Sequence, residues 1–164
     1  SAGTSTNIWR KPSLRKKQLR VTGSGAGRDR VYVDTSAWIA FFSARDQNHA
    51  EAERLFREAV SRKVLLTTTN LVLAEVHRLI LHRAGVAAAA LALHRIRTST
   101  LASILFASEA HHSAAIAWLA RLTSHRVTYT DAVGFAVIED AGCVGFLSFD
   151  SDFLLAGFNA WVPE

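Results

Sequence analysis

Asp34, Glu75, Asp131 and Asp150 each stand inside or beside apolar sequence. Asp34 follows the strand-like Val31–Val33 and precedes an apolar run with Trp38, Ile39 and Phe41; Glu75 sits in NLVLAEVHRL, Asp131 in TYTDAVGFAVIEDAG and Asp150 in FLSFDSDF. An ionised carboxylate taken out of water is costly unless it is paired or bound to a metal. Several gathered together repel one another, and some must take up protons. A hard divalent cation removes the conflict, because Mg2+ or Mn2+ takes oxygen ligands and keeps water for chemistry. If the four acids meet, they suit such a cation and its water.

Each acid also has a simpler reading when taken alone. Asp34 can cap the helix beginning near Ser36, and Glu75 can pair with Arg78 on a helix surface. Asp131 opens a helix, where an acid is favoured by capping and by the helix dipole. Asp150 can be a turn residue. Ser36 and Thr130, beside two of the acids, are candidates to hydrogen-bond them from behind, and caps or turns would use them equally well.

The elements that must position these residues alternate in type. Strand-like runs at Val31–Val33, Val64–Thr67, Leu101–Phe106 and Val144–Phe149 are separated by helical patterns. The helices are expected over Ser36–Ser43, His49–Arg62, from an Asn70 cap to His82, Val86–Arg97, His111–Thr123 and Asp131–Ala141, the last closed by Gly142. A short turn at Asp152–Ala156 and an apolar piece at Ala160–Val162 follow. Such alternation predicts a three-layer α/β/α domain with a central, mainly parallel sheet of about four to five strands. In open α/β sheets, sites form at the carboxyl ends of strands. Asp34 and Asp150 each follow a strand, so neighbouring strands would put both on one rim.

The chain has 164 residues, enough for one domain with a sizeable core. Its net charge of +5 is unevenly placed. Residues 1–30 hold eight Lys/Arg against one acid, hence +7, while the other 134 residues hold eleven basic and thirteen acidic side chains, hence −2. We therefore expect a basic flexible tail or tag over 1–30, joined by GSGAG at 23–27, to a domain over 31–164. The glycine run lacks the preceding strand and following helix of a phosphate loop. No methionine occurs, even at position 1, which points to a processed or engineered start. A single cysteine, Cys143, cannot form an internal disulfide, and the Ala-rich run from Val86 to Leu93 is too short to span a bilayer. The expected setting is the cytoplasm, away from membranes.

VYVDTSAWIAFF, LLTTTNLVLAEVHRLILHRAG, YTDAVGFAVIEDAGCVGFLSFD and the closing FDSDF resemble, in order and spacing, the PIN-domain ribonucleases, and specifically the VapC toxins of toxin–antitoxin pairs. The resemblance runs from Val31 to about Phe158 and leaves out the basic segment. It implies a PIN-like fold and Mg2+-dependent cleavage of RNA phosphodiesters, with Mn2+ as a possible substitute, leaving 5′-phosphate and 3′-hydroxyl ends. Carried over by position, Asp34, Glu75, Asp131 and Asp150 match the family's acidic metal-site residues, and Asp152 matches a position that is often Asp or His. A cognate antitoxin and a homodimer are implied as partners.

RNA would have to approach an acidic site. Arg45, Arg83, Arg95, Arg97, Arg121 and Arg126 are available for that, although such charges usually serve only as solvated surface. The histidines show no zinc-type spacing. Two other functions compete. One is a non-catalytic RNA- or partner-binding module on the same fold, which would tolerate loss of the acids. The other is a phosphate-ester hydrolase of another α/β class with Asp34 as nucleophile, in which a second Asp two residues on would be usual; position 36 is serine.

Overall fold

Val31, Tyr32 and Val33 are fully buried, as a strand covered on both faces must be. In the computed structural model, which describes residues 27–164, they belong to β1 (Arg30–Val33). The basic segment expected over 1–30 and its GSGAG joint therefore lie almost wholly outside the described residues. β2 (Leu65–Thr69), β3 (Ala102–Leu105) and β4 (Gly145–Leu147) complete a parallel sheet in the order β3-β2-β1-β4. β1 thus has a partner on each side, pairing Val31 with Leu66 and with Gly145.

Two helices fill each crossover: α1 (Thr35–Phe42) and α2 (His49–Ser61), then α3 (Asn70–Ala84) and α4 (Val86–Thr98), then α5 (Glu109–Arg121) and α6 (Tyr129–Ala141). A parallel strand pair requires such a long connection. The short α7 (Asp152–Leu155) follows β4. The result is the expected three-layer α/β/α arrangement with four strands. The piece at Ala160–Val162 adds only an isolated bridge: Phe146 N–H donates to the Asn159 carbonyl at 3.1 Å, and Trp161 N–H donates to the Phe146 carbonyl at 2.9 Å.

Side-chain chemistry sets several boundaries that apolar periodicity misses. α3 is capped by Thr69, whose hydroxyl accepts from Val72 N–H at 3.2 Å, rather than by Asn70. The Asn70 side chain instead accepts from Ala107 N–H at 2.9 Å, tying α3 to the end of β3. α5 begins two residues earlier than expected because Ser108 and His111 form a capping box. Gly142 closes α6 at φ 63°, a backbone conformation that glycine adopts without a Cβ penalty.

Two aromatic clusters hold the layers together. Trp38, Phe41 and Phe56 join α1 to α2, with ring centroids 4.5–5.0 Å apart across the helices. Beyond β1 and β4, Phe153 lies 5.6 Å from Tyr32, 5.0 Å from Phe135 and 5.1 Å from Phe146. Phe153 is fully buried, a transfer worth about 1.5–3 kcal/mol. It anchors α7 directly beside Asp150 and Asp152.

Candidate active site

Asp34 takes the N-cap position of α1, yet its side chain makes no capping hydrogen bond to that helix. Its carboxylate points its bonding elsewhere. The Ser148 hydroxyl donates to Oδ2 at 3.0 Å, and the Ser36 hydroxyl reaches the same oxygen at 3.3 Å. Asp34 N–H donates to the Leu147 carbonyl at 3.0 Å, carrying the β1–β4 ladder to the point where the acid leaves the sheet. Strand pairing thus sets this carboxylate at the rim, at the carboxyl ends of two adjacent strands.

The other acids arrive from different elements. Glu75 projects from the middle of α3, where Thr35 Oγ1 donates to Oε2 at 2.8 Å; among the described residues no ion pair joins it to Arg78. Asp131 is the third residue of α6. Its Oδ2 accepts from Thr128 N–H at 3.1 Å and from Thr128 Oγ1 at 2.7 Å, so it completes a capping box while remaining in the site. Asp150 leaves β4 with its N–H donated to Ser148 Oγ at 3.1 Å, and Asp152 opens α7. All five carboxylates line one cleft of about 470 Å³, together with Asp46 and Arg83.

Ser36 is the hub on the sheet side. Its hydroxyl lies 3.0 Å from that of Ser148 and accepts from Phe149 N–H at 2.8 Å. Thr130 makes no hydrogen bond to the acids among the described residues and does not line the cleft. Thr128, two residues earlier, makes the contacts anticipated for it. The T-x-x-D spacing of a capping box marks that residue in the sequence. Ser148, fully buried, and Thr35 are the other hydroxyls on the carboxylates.

The electrostatics follow from this crowding. Asp34 is 1% exposed, and burial, reinforced by Asp131 and Asp150, pushes its carboxyl up from 3.8 to about 7. Burial also raises Asp131, against the opposing effect of its Thr128 bonds. Asp150 is raised by burial and then by Asp152 and Glu75, and Asp152 by burial, with His125 opposing. Six carboxylates against one arginine leave negative charge with no internal answer. Among the described residues no three of these side chains already close around a point an ion would fill. The donor set is nevertheless all oxygen, anionic and open to solvent on one side, which fits a hard divalent cation that retains water.

A family model for the PIN domain matches residues 31–159. The chain belongs to the PIN-domain family. Within the family it is similar to the "23S rRNA-specific endonuclease VapC20" of Mycobacterium tuberculosis, found in two strains. Each is 36% identical over 138 residues, covering 82% of this chain and 99% of the relative. A crystal structure of VapC20 described as a sarcin–ricin loop cleaving toxin superposes with a TM-score of 0.73 at 34% identity, covering 81% of this chain and 99% of that one. This is therefore a VapC-type PIN-domain protein, and the parallel sheet with paired crossover helices is the PIN fold.

Of the arginines available from the sequence, Arg83 lines the acidic cleft and Arg45 a depression beside it. Arg95 borders an apolar pocket elsewhere, and Arg121 stacks 4.0 Å over the Trp118 ring. No described helix is long and apolar enough to cross a membrane.

Proposed function

We propose that this chain is a Mg2+-dependent endoribonuclease and the toxin of a toxin–antitoxin pair, with Asp34, Glu75, Asp131 and Asp150 as its metal-holding and catalytic carboxylates and Asp152 as a fifth ligand. The observation that carries the reading is the convergence of these acids from β1, α3, α6 and the β4–α7 turn into one cleft, with Asp34 pushed up to about 7. A divalent cation bound there would activate water and neutralise charge on the phosphoryl group. The chain's own residues prepare for it. Ser148 and Ser36 fix the rotamer of Asp34, Thr128 that of Asp131, and Thr35 that of Glu75, so the carboxylates are oriented before any ligand arrives. Asp34 must surrender its proton for the cation to bind, so binding is linked to pH.

The relative's name supplies a first substrate, the sarcin–ricin loop of 23S rRNA. In this reading the nuclease domain spans 31–164, and the protein works in the cytoplasm. Its cognate antitoxin covers the cleft and two copies of the chain pair.

The test is incubation of the protein with 23S rRNA and with a small phosphate ester, with and without Mg2+. Cleavage of RNA alone, lost in EDTA and in Asp131→Asn with the circular dichroism spectrum intact, is the expected result. Full activity in that variant or in EDTA would remove the mechanism. RNA binding without cleavage would favour the non-catalytic module, and turnover of the ester alone the other hydrolase.

A further inference from the structure

Arg83 is the one basic side chain among the described residues that lines the acidic cleft. It stands two turns along α3 from Glu75, with Leu79 between them, and all three line the cleft, giving one helix face an acidic end and a basic end. The two Cα positions are about 12 Å apart along the axis, so Arg83 is placed for a phosphate other than the one at the carboxylates. Its position in the last turn of α3 already suits a cation through the helix dipole. That accounts for a basic residue there but not for its opening into the cleft. Among the described residues it has no carboxylate within ion-pair distance.

Arg83 also borders a second depression, of about 940 Å³, which runs on from the cleft and shares Asp46 and Gln47 with it. Its remaining lining includes Arg45 and the half-buried ring of Phe42. The balance of charge therefore changes along this surface, from six carboxylates against Arg83 in the cleft to Arg83 and Arg45 against Asp46 alone in the depression, beside an aromatic ring and a side-chain amide. Unpaired RNA presents those complements in sequence: a phosphate for arginine, a base face for an aromatic ring and a base edge for an amide.

Building on the ribonuclease reading, we propose that this depression is the subsite for the nucleotide flanking the scissile bond in unpaired RNA. Arg83 and Arg45 hold the flanking phosphate, Phe42 stacks the base and Gln47 meets its edge. The subsite supplies the attraction that the carboxylate cluster lacks and sets where the strand lies relative to the carboxylates.

The probe is a fluorescently labelled RNA hairpin copying the sarcin–ricin loop. Its binding is measured by anisotropy in EDTA and its cleavage in Mg2+, at several salt concentrations. Arg83→Ala is expected to weaken binding and raise KM about tenfold, the loss of one charge-assisted contact. The slope of log affinity against log salt should fall by about 0.7, as for one phosphate contact on an unpaired strand. Arg83→Lys should recover part of the affinity, and Arg97→Ala, an exposed charge on α4 away from the cleft, should leave binding unchanged. Wild-type affinity in Arg83→Ala, or an equal loss in Arg97→Ala, overturns the subsite while leaving the ribonuclease reading standing. A wild-type protein that neither binds nor cuts RNA overturns both.

Discussion

Replacing Asp34 by asparagine separates what the site costs from what it does. The carboxyl is lifted from 3.8 to about 7 by burial and by Asp131 and Asp150. Below pH 3.8 the folded and unfolded chains both carry the proton, and the group is neutral toward stability. Between 3.8 and 7 the folded chain keeps a proton that the unfolded chain has lost, so stability falls as pH rises, and the whole penalty is present above 7. At about 1.4 kcal/mol per tenfold, that interval is worth on the order of 4 kcal/mol at pH 8 without a divalent cation. An asparagine carbonyl can still accept from the Ser36 and Ser148 hydroxyls, while its amide hydrogens have no matching acceptor and return part of the gain. Asp34→Asn should therefore be more stable than wild type at pH 8 in EDTA by about 2 kcal/mol, raising Tm by about 4–8 °C for a chain of this size. The assay is thermal melting of both proteins in EDTA from pH 4 to pH 8. The two melting temperatures should meet near pH 4 and separate as pH rises, and added Mg2+ should raise only the wild type. A variant that melts below wild type at pH 8, or a difference that does not change with pH, would refute the reasoning.

Two further substitutions probe the supports of the site. Ser148→Ala removes the hydroxyl that donates to Asp34 and accepts from Asp150 N–H, at a cost of about 1–3 kcal/mol. Because that bond favours the ionised acid, Asp34 should rise further and Mg2+ binding at pH 7 should weaken in calorimetric titration; unchanged affinity would show that the hydroxyl does not hold the carboxylate. A Cβ at Gly134 would lie 2.7 Å from Tyr32 Oη, where α6 crosses β1. Gly134→Ala should cost about 1–3 kcal/mol through overpacking, despite alanine's better helix propensity. A urea midpoint at or above that of wild type would contradict the close approach.

The sequence was most legible where chemistry and periodicity agreed. β-Branched or apolar triplets followed by an acid gave β1 and the rim position of Asp34, and the helical patterns between strands gave the parallel sheet and its two covering layers. Asp34, Glu75, Asp131 and Asp150 line one cleft; their apolar settings hinted at a shared answer for the charge, and the resemblance to the PIN-domain ribonucleases drew the four together as a set. The sequence was less legible where a short polar side chain chooses among several partners. Asn70 looks like a cap, but Thr69 caps α3 and Asn70 bonds Ala107. Thr130 is adjacent to Asp131, but one residue along a helix turns the side chain away, and Thr128 faces the acid instead. Which arginine meets the cleft depends on the length of α3 and its angle to the sheet, which no local pattern encodes.

β1 takes its hydrogen bonds from β2 on one side and from β4 on the other, and the Ser148–Asp34 bond closes a span of 114 positions. On a ribosome, which adds about 5–20 residues per second, Asp34 is made well before the strand that completes its surroundings. Until β4 arrives, β1 has an open edge, Asp34 lacks Ser148, and Asp150 and Asp152 have not yet been made. The cleft that gathers the carboxylates is therefore incomplete in the nascent chain. If the proposed ribonuclease reading holds, a growing polypeptide would emerge beside the RNA of its own ribosome without a finished cleft.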